Sequence, residues 1–174
     1  MGINRLLFET GLEMDVCDFL IRGVLPEDTE WIRRLMRDRW AAEFVIVHGD
    51  VYHPHELSGF VAAVDEGKAG LITYHIAGER CEIVTLDSLI PDHGIGSALL
   101  KAVKTSALRS GCRALQLTTT NDNLHALRFY QKRGFTFAAV RLNAIENTRK
   151  LKPVALLGEN GIPIRDEIDM ELII

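Results

Sequence analysis

The groups in this chain best suited to chemistry are a phenol, two carboxylates and a glycine turn. Tyr130 lies in the stretch Asn123-Leu-His-Ala126-Leu-Arg-Phe-Tyr130-Gln-Lys-Arg-Gly134-Phe135. A phenol with a pKa near about 10 holds a proton it can give to a basic leaving group. Glu82 and Asp87 share one apolar segment, Cys81-Glu-Ile-Val-Thr-Leu-Asp87-Ser-Leu-Ile90. Either carboxylate could take a proton from an attacking nucleophile. Strand alternation places them on opposite faces, so they could share a pocket only across a bulge. The third feature is "PDHGIGSALLKAV", Pro91 to Val103, with Gly94 and Gly96 just before an amphipathic run. Glycines let the backbone approach a ligand closely. The following helix turns its unpaired N–H groups and the positive end of its dipole toward the turn, which suits a phosphate or diphosphate.

Spacing narrows the guest. A dinucleotide fingerprint needs a third glycine where this chain has Leu99, and it opens a βαβ unit rather than following antiparallel strands. A nucleotide P-loop needs a glycine directly before its lysine, and Lys101 follows Leu100. Taken alone, the turn could also be purely structural.

The second segment supplies context. Together, "HGIGS" and the Asn-x-x-Ala-x-x-Phe-Tyr-x-x-x-Gly-Phe run from Asn123 to Phe135 resemble the GNAT superfamily of acetyl-coenzyme A dependent N-acetyltransferases. The resemblance extends from about Phe19 to Phe137 and includes the order of elements. It departs at Pro91, where the family pattern Q/R-x-x-G-x-G/A has Gln or Arg, and in a shortened loop before the glycines. The resemblance implies that His93, Gly94, Ile95, Gly96 and Ser97 wrap the pyrophosphate of acetyl-coenzyme A. It implies that Leu89 and Ile90 at a strand end meet the pantetheine arm, that Asn123 hydrogen-bonds it, and that Tyr130 sits near the sulfur and protonates the leaving thiolate. Asp87 and Glu82 are the candidate bases, with a water chain as the alternative to both. Lys101, Lys104 and Arg128 could meet phosphates. His48, Tyr52, His53 and His55 would stand near the acceptor entrance.

The implied activity is direct transfer of an acetyl group to an amine on a small molecule or peptide. The competing reading is an acyl-coenzyme A binding or sensing domain without catalysis. His53-x-His55 with Glu56 does not close a ligand set, so no metal is expected. Cys81 and Cys112 have no evident histidine partner, which argues against a covalent acyl-enzyme.

Positioning these groups requires a particular order of elements. "FLIRGVL" reads as a strand, and Pro26 with the acids after it reads as a helix start. "EFVIVHG" is a second strand and "DVYHPHELS" a polar loop. Three strands with hairpin turns "DEGK" and "AGER" follow as an antiparallel meander. After Gly94 come helix, strand, helix and strand. The helices stop at Gly111 and Gly134, a short helix is expected over 144–152, and "RDEIDMELII" is a closing strand that could pair within or between chains, as in a homodimer. The expectation is an α/β (α+β mixed sheet) domain of GNAT-like fold: an antiparallel meander followed by β-α-β-α-β, with splayed central strands and helices on both faces. Residues 1–13 read as a disordered extension and 14–174 as one domain.

Bulk composition fits this. Hydrophobic residues are 47% and charged residues 25% of 174, an ordinary globular mixture able to bury a core. A net charge of -4 argues against a general nucleic-acid partner. No apolar run is long enough to span a membrane, and three scattered cysteines suggest free thiols in a reducing, cytoplasmic setting.

Overall fold

The computed structural model describes residues 18–65 and 67–174; the proposed extension over residues 1–13 lies outside them. The strands are β1 (Leu20–Gly23), β2 (Val45–Val47), β3 (Asp50–Tyr52), β4 (Ser58–Val64), β5 (Gly67–Ala77), β6 (Arg80–Ser88), β7 (Ala114–Thr120), β8 (Thr136–Arg141) and β9 (Glu167–Ile173). The helices are α1 (Thr29–Trp40), α2 (Ile95–Arg109), α3 (Leu124–Gln131) and α4 (Ile145–Arg149). A seven-stranded mixed sheet has the order β1-β4-β5-β6-β7-β9-β8, and β2 and β3 form a separate hairpin.

Alternation along the central strands feeds two cores. Ala62, Ile72 and Ile83 face α2 and α3, where they meet Leu99, Val103, Leu127 and Tyr130. Val61, Leu71 and Val84 face α1, where they meet Ile32, Leu35, Met36 and the β2 valines Val45 and Val47. Leu99 is fully buried, so cutting it to alanine would cost about 2–5 kcal/mol.

The structure places two strands whose partners the sequence left open. "EFVIVHG" does not join the main sheet: β2 turns back on β3 through His48 and Gly49, at φ 52° and 93°. Such a two-residue turn needs positive φ at both central positions, which matches the twist of a hairpin. The closing strand β9 does not extend the edge; it inserts between β7 and β8, antiparallel to both. Its backbone is therefore paired within the chain.

The feature that positions the site is the contact between β6 and β7. They pair in parallel only from Arg80–Ile83 against Ala114–Leu117. Beyond that point β6 stays paired to β5 as far as Ser88, and β7 stays paired to β9 as far as Thr120. The two strands therefore part and leave a slot, as expected for splayed central strands. The parting coincides with a bulge. Thr73 of β5 faces Thr85 and Tyr74 faces Ile83, so Val84 has no partner. A bulge adds local twist and bends its strand, here away from β7.

Candidate active site

The bulge at Val84 meets the condition under which Glu82 and Asp87 could share a face. The extra residue reverses the alternation, and both side chains now lie on the α1 side of the sheet. Glu82 receives the Tyr52 hydroxyl from the β2–β3 hairpin at 3.5 Å. Asp87 receives two donors from the end of α1, Arg39 Nε at 3.0 Å and Trp40 Nε1 at 2.9 Å. The two carboxylates differ in what remains free. Asp87 is 6% exposed with both oxygens engaged. Glu82 has one long hydrogen bond. Burial raises its pKa above the ordinary carboxylate value, while the nearby His48 charge and the Tyr52 hydroxyl pull it back.

Helix α1 reaches Asp87 because its other end is pinned. Asp28 has a fully buried side chain that accepts two hydrogen bonds from Arg22, at 2.6 and 2.9 Å, and one from the Leu25 N–H at 2.9 Å. Lys68 lies 3.2 Å away. These charge-assisted contacts hold its pKa well below the ordinary value.

On the opposite face, the slot ends at the glycine turn. Gly94 is the residue before α2, at φ 75° and ψ 1°, and among the described residues no side chain caps the helix. The first helical bond runs from the Ala98 N–H to the Gly94 carbonyl. The N–H groups of Ile95, Gly96 and Ser97 thus carry no helical partner. The side chain of Ile95 is core, so its contribution to a ligand would come from its backbone. His93 is exposed and turned back onto the Pro91 carbonyl. Gly96 has a second role: a Cβ there would come within 3.2 Å of the Phe129 ring, so its absence lets α3 pack on the first turn of α2.

Helix α3 carries the remaining candidates. Asn123 caps it, with Oδ1 accepting the Ala126 N–H at 3.0 Å, which leaves its side-chain amide N–H groups for another partner. Tyr130 is 6% exposed and packs edge-on against Phe129 and Phe135, ring centroids 5.1 and 5.2 Å apart. Burial pushes its phenol well above its ordinary pKa, and the Asp87 charge adds to this. The phenol therefore stays protonated across the physiological range. Leu89 and Ile90 follow β6 and pack into opposite cores; the Leu89 N–H is already bonded to the Ala69 carbonyl at 2.8 Å.

Sequence reasoning passed over Arg133. Its guanidinium lies 3.5 Å from the centroid of the Phe129 ring, donates to the Phe129 carbonyl at 2.7 Å and reaches the Ser97 hydroxyl. That puts a cation at the uncapped end of α2. Lys101 and Arg128 are exposed and Lys104 half-buried on their helices. The histidines separate as well. His48 lies 2.8 Å from Asp169. His53 and His55 pack on each other at 5.7 Å, and His55 Nε2 lies 3.1 Å from Arg33, away from Glu82.

Comparison with known proteins decides the family. Residues 24–135 match the model of the acetyltransferase (GNAT) family, well over half the chain. The chain belongs to the GNAT family of acetyltransferases. Two relatives from Bacillus subtilis (strain 168) are similar over most of their length. YdhI is 47% identical over 131 residues, covering 74% of this chain and 82% of its own. YxbD is 39% identical over 146 residues, covering 83% and 91%. Among solved structures, the IAA acetyltransferase from Bacillus cereus ATCC 14579 superposes with a TM-score of 0.71 at 20% identity, covering 90% of this chain and 100% of its own. A GNAT acetyltransferase from Elizabethkingia anophelis with acetyl-CoA bound gives 0.65 at 21%, covering 90% and 98%. These structural likenesses establish the GNAT fold, a mixed sheet flanked by helices. Among the described residues, no helix is long and apolar enough to cross a membrane, and no group of three potential metal ligands comes together.

Proposed function

We propose that this GNAT protein transfers an acetyl group from acetyl-coenzyme A to an amine by direct attack. The observation that carries the reading is the slot between β6 and β7, closed at one end by the uncapped N-terminus of α2, with Tyr130 buried in the core on the α3 side. Pyrophosphate would sit on the N–H groups of Ile95, Gly96 and Ser97, with Arg133 supplying a positive charge. Backbone from this anion site compensates for the missing side chain at Pro91. The pantetheine arm would take the place of the missing strand along Val84–Ile90, with the side-chain amide of Asn123 as donor.

The amine approaches from the α1 side. Glu82 is the base, taking the ammonium proton through water; Asp87, held by Arg39 and Trp40, orients the slot wall instead. The amine then attacks the thioester carbonyl, and the C–S bond breaks as the tetrahedral intermediate collapses. Tyr130 gives its proton to the departing thiolate and regains one from the released amine proton through solvent. Cys81 plays no part: burial pushes its thiol up to about 12, so it stays protonated and unreactive. The neighbour solved with acetyl-CoA is consistent with this choice of cosubstrate.

Thiol release from acetyl-coenzyme A with an amine panel tests this. Turnover that falls about 100-fold in Tyr130→Phe is expected. Tight coenzyme binding with no turnover on any amine would instead favour a sensing domain.

A further inference from the structure

The β2–β3 hairpin and the edge of the sheet enclose a cavity of about 320 Å³ on the α1 side, at the base of the slot. Glu82, Thr118, Asp169, Arg80 and Arg141 line it. What it can bind depends on which polar atoms are already used. Both oxygens of Asp169 are engaged: Oδ1 accepts from Thr118 at 2.9 Å and faces His48 at 2.8 Å, and Oδ2 accepts from Arg141 Nε at 2.9 Å. Glu171 is held by Gln116 at 2.7 Å and lies 3.7 Å from Arg80. The groups with capacity to spare are therefore the Glu82 carboxylate, with its single bond at 3.5 Å, and the terminal nitrogens of the two arginines. Arg141 spends its Nε on Asp169, and its terminal pair makes no hydrogen bond among the described residues.

The Glu82 carboxylate and the Arg141 guanidinium have opposite signs and stand apart; Arg80 starts on the Glu82 strand, and its Nη1 reaches toward Glu171 of β9. Glu82 is on β6 and Asp169, which holds Arg141, is on β9, with β7 between them. Two strand spacings put roughly 10 Å between the backbones at these positions. A ligand bridging them needs a cation at one end and a planar anion at the other. Guanidinium matches a carboxylate through two parallel hydrogen bonds, so the planar anion is best served by a carboxylate.

We propose that the acceptor is a small amino-carboxylate, bound with its amine toward Glu82 and its carboxylate on Arg141 and Arg80. This rests on the acetyltransferase reading above and adds the substrate class. The cavity favours a free amino acid or a close relative over a protein chain, whose α-carboxyl is tied up in the first peptide bond. The pairing also explains why the β2–β3 hairpin carries a strained non-glycine turn. The left-handed His48 places its ring on Asp169, and that contact shapes the cavity's rim.

The test compares matched acceptors that keep the amine and change the other end: an amino acid, its carboxamide and its decarboxylated amine. The free acid is expected to show at least about tenfold higher kcat/KM than either partner. Arg141→Met and Arg80→Met should erase that preference by raising KM for the acid. Arg80 makes no close hydrogen bond, so its variant separates loss of recognition from loss of fold. Equal or better turnover of the carboxamide or plain amine overturns the proposal, while turnover on those amines still dependent on Tyr130 leaves the acetyltransferase reading intact. Should no acceptor turn over, calorimetry on coenzyme A-loaded protein decides: acid-selective binding lost in Arg141→Met supports the substrate class and removes the activity, and no binding of any amino-carboxylate overturns it.

Discussion

Glu82→Gln is the most informative single substitution. The change keeps the shape of the side chain and removes its charge, and the only hydrogen bond at stake is the 3.5 Å contact from Tyr52. A positioned base contributes about 10²–10⁴-fold, equivalent to roughly 3–5 kcal/mol of barrier. At pH 7 kcat/KM should therefore fall by at least about 100-fold. The loss should shrink at high pH, because an amine that has already lost its proton needs no base. Above the acceptor's own pKa the two enzymes should converge toward the rate set by Tyr130 and the backbone.

Stability should move the other way. Burial raises the pKa of Glu82 in the folded state, so ionisation there works against folding. Below the ordinary value of 4.5 the carboxyl is protonated in both states and the penalty vanishes; it is fully present once pH exceeds the raised folded value. Glu82→Gln should melt no lower than the wild type at pH 7 to 8. Any such advantage should disappear as pH drops toward 4. Stopped thiol release over pH 6–10, read beside melting curves, gives both measurements. A loss that is the same at every pH, or a variant that loses activity and melts early, would refute Glu82 as the base.

Tyr130→Phe should lower kcat about 100-fold and leave coenzyme KM nearly unchanged, because in the proposed mechanism the phenol acts on the leaving sulfur and not on binding. The raised pKa of Tyr130 also means that wild-type kcat should show no alkaline fall below pH 10; a fall centred near pH 8 would point to another acid. Arg133→Met should weaken coenzyme A binding by roughly tenfold, about 1.4 kcal/mol, and flatten its salt dependence; unchanged affinity at low salt would make Arg133 a packing residue only. Asp28→Asn removes the buried partner of Arg22 and Lys68 and should cost about 3 kcal/mol, or roughly 6–12 °C in Tm. Its folded pKa is depressed, so the stabilisation is present above about pH 3.8 and is lost as pH falls through the depressed value. The gap between variant and wild type should close only in that acid range, and a gap that closes near pH 6 would assign it to another group.

Local pattern showed what was locally determined. The start of α2 at Gly94, its end at Gly111, the Asn123 cap and the buried face of α3 each depend on residues within one turn of each other, and all could be read in order. Contacts across the chain could not. Asp87 is held by Arg39 and Trp40, 48 and 47 residues away. The bond from His48 to Asp169 spans 121 residues. None of these residues shows in the sequence which partner it will meet. The His48-Gly49 turn was hidden because histidine is a rare occupant of a left-handed position, so "VIVHGDVY" read as a strand followed by a loop. The placement of β9 was hidden for a different reason. Its alternating pattern shows that it is a strand with one buried face, but the neighbours of a strand are set by the sheet as a whole.

The bulge at Val84 links these outcomes. Ile83, Val84, Thr85 and Leu86 are all acceptable on either face of a buried strand, so composition leaves the register open. Pairing to β5 decides it: the buried hydroxyls of Thr73 and Thr85 bond at 2.8 Å, and keeping them opposed forces one residue of β6 out of step. That residue has two consequences. It bends β6 away from β7 and so opens the slot. It also swaps the face of everything beyond it, so that Asp87 meets the end of α1 and shares a face with Glu82. Without the bulge, Asp87 would point toward α2, where no basic partner waits in the core, and one carboxylate would be lost from the α1 side. A single unpaired residue, next to the Thr73–Thr85 pair that joins β5 to β6, thus sets both where β6 leaves β7 and which face carries Asp87.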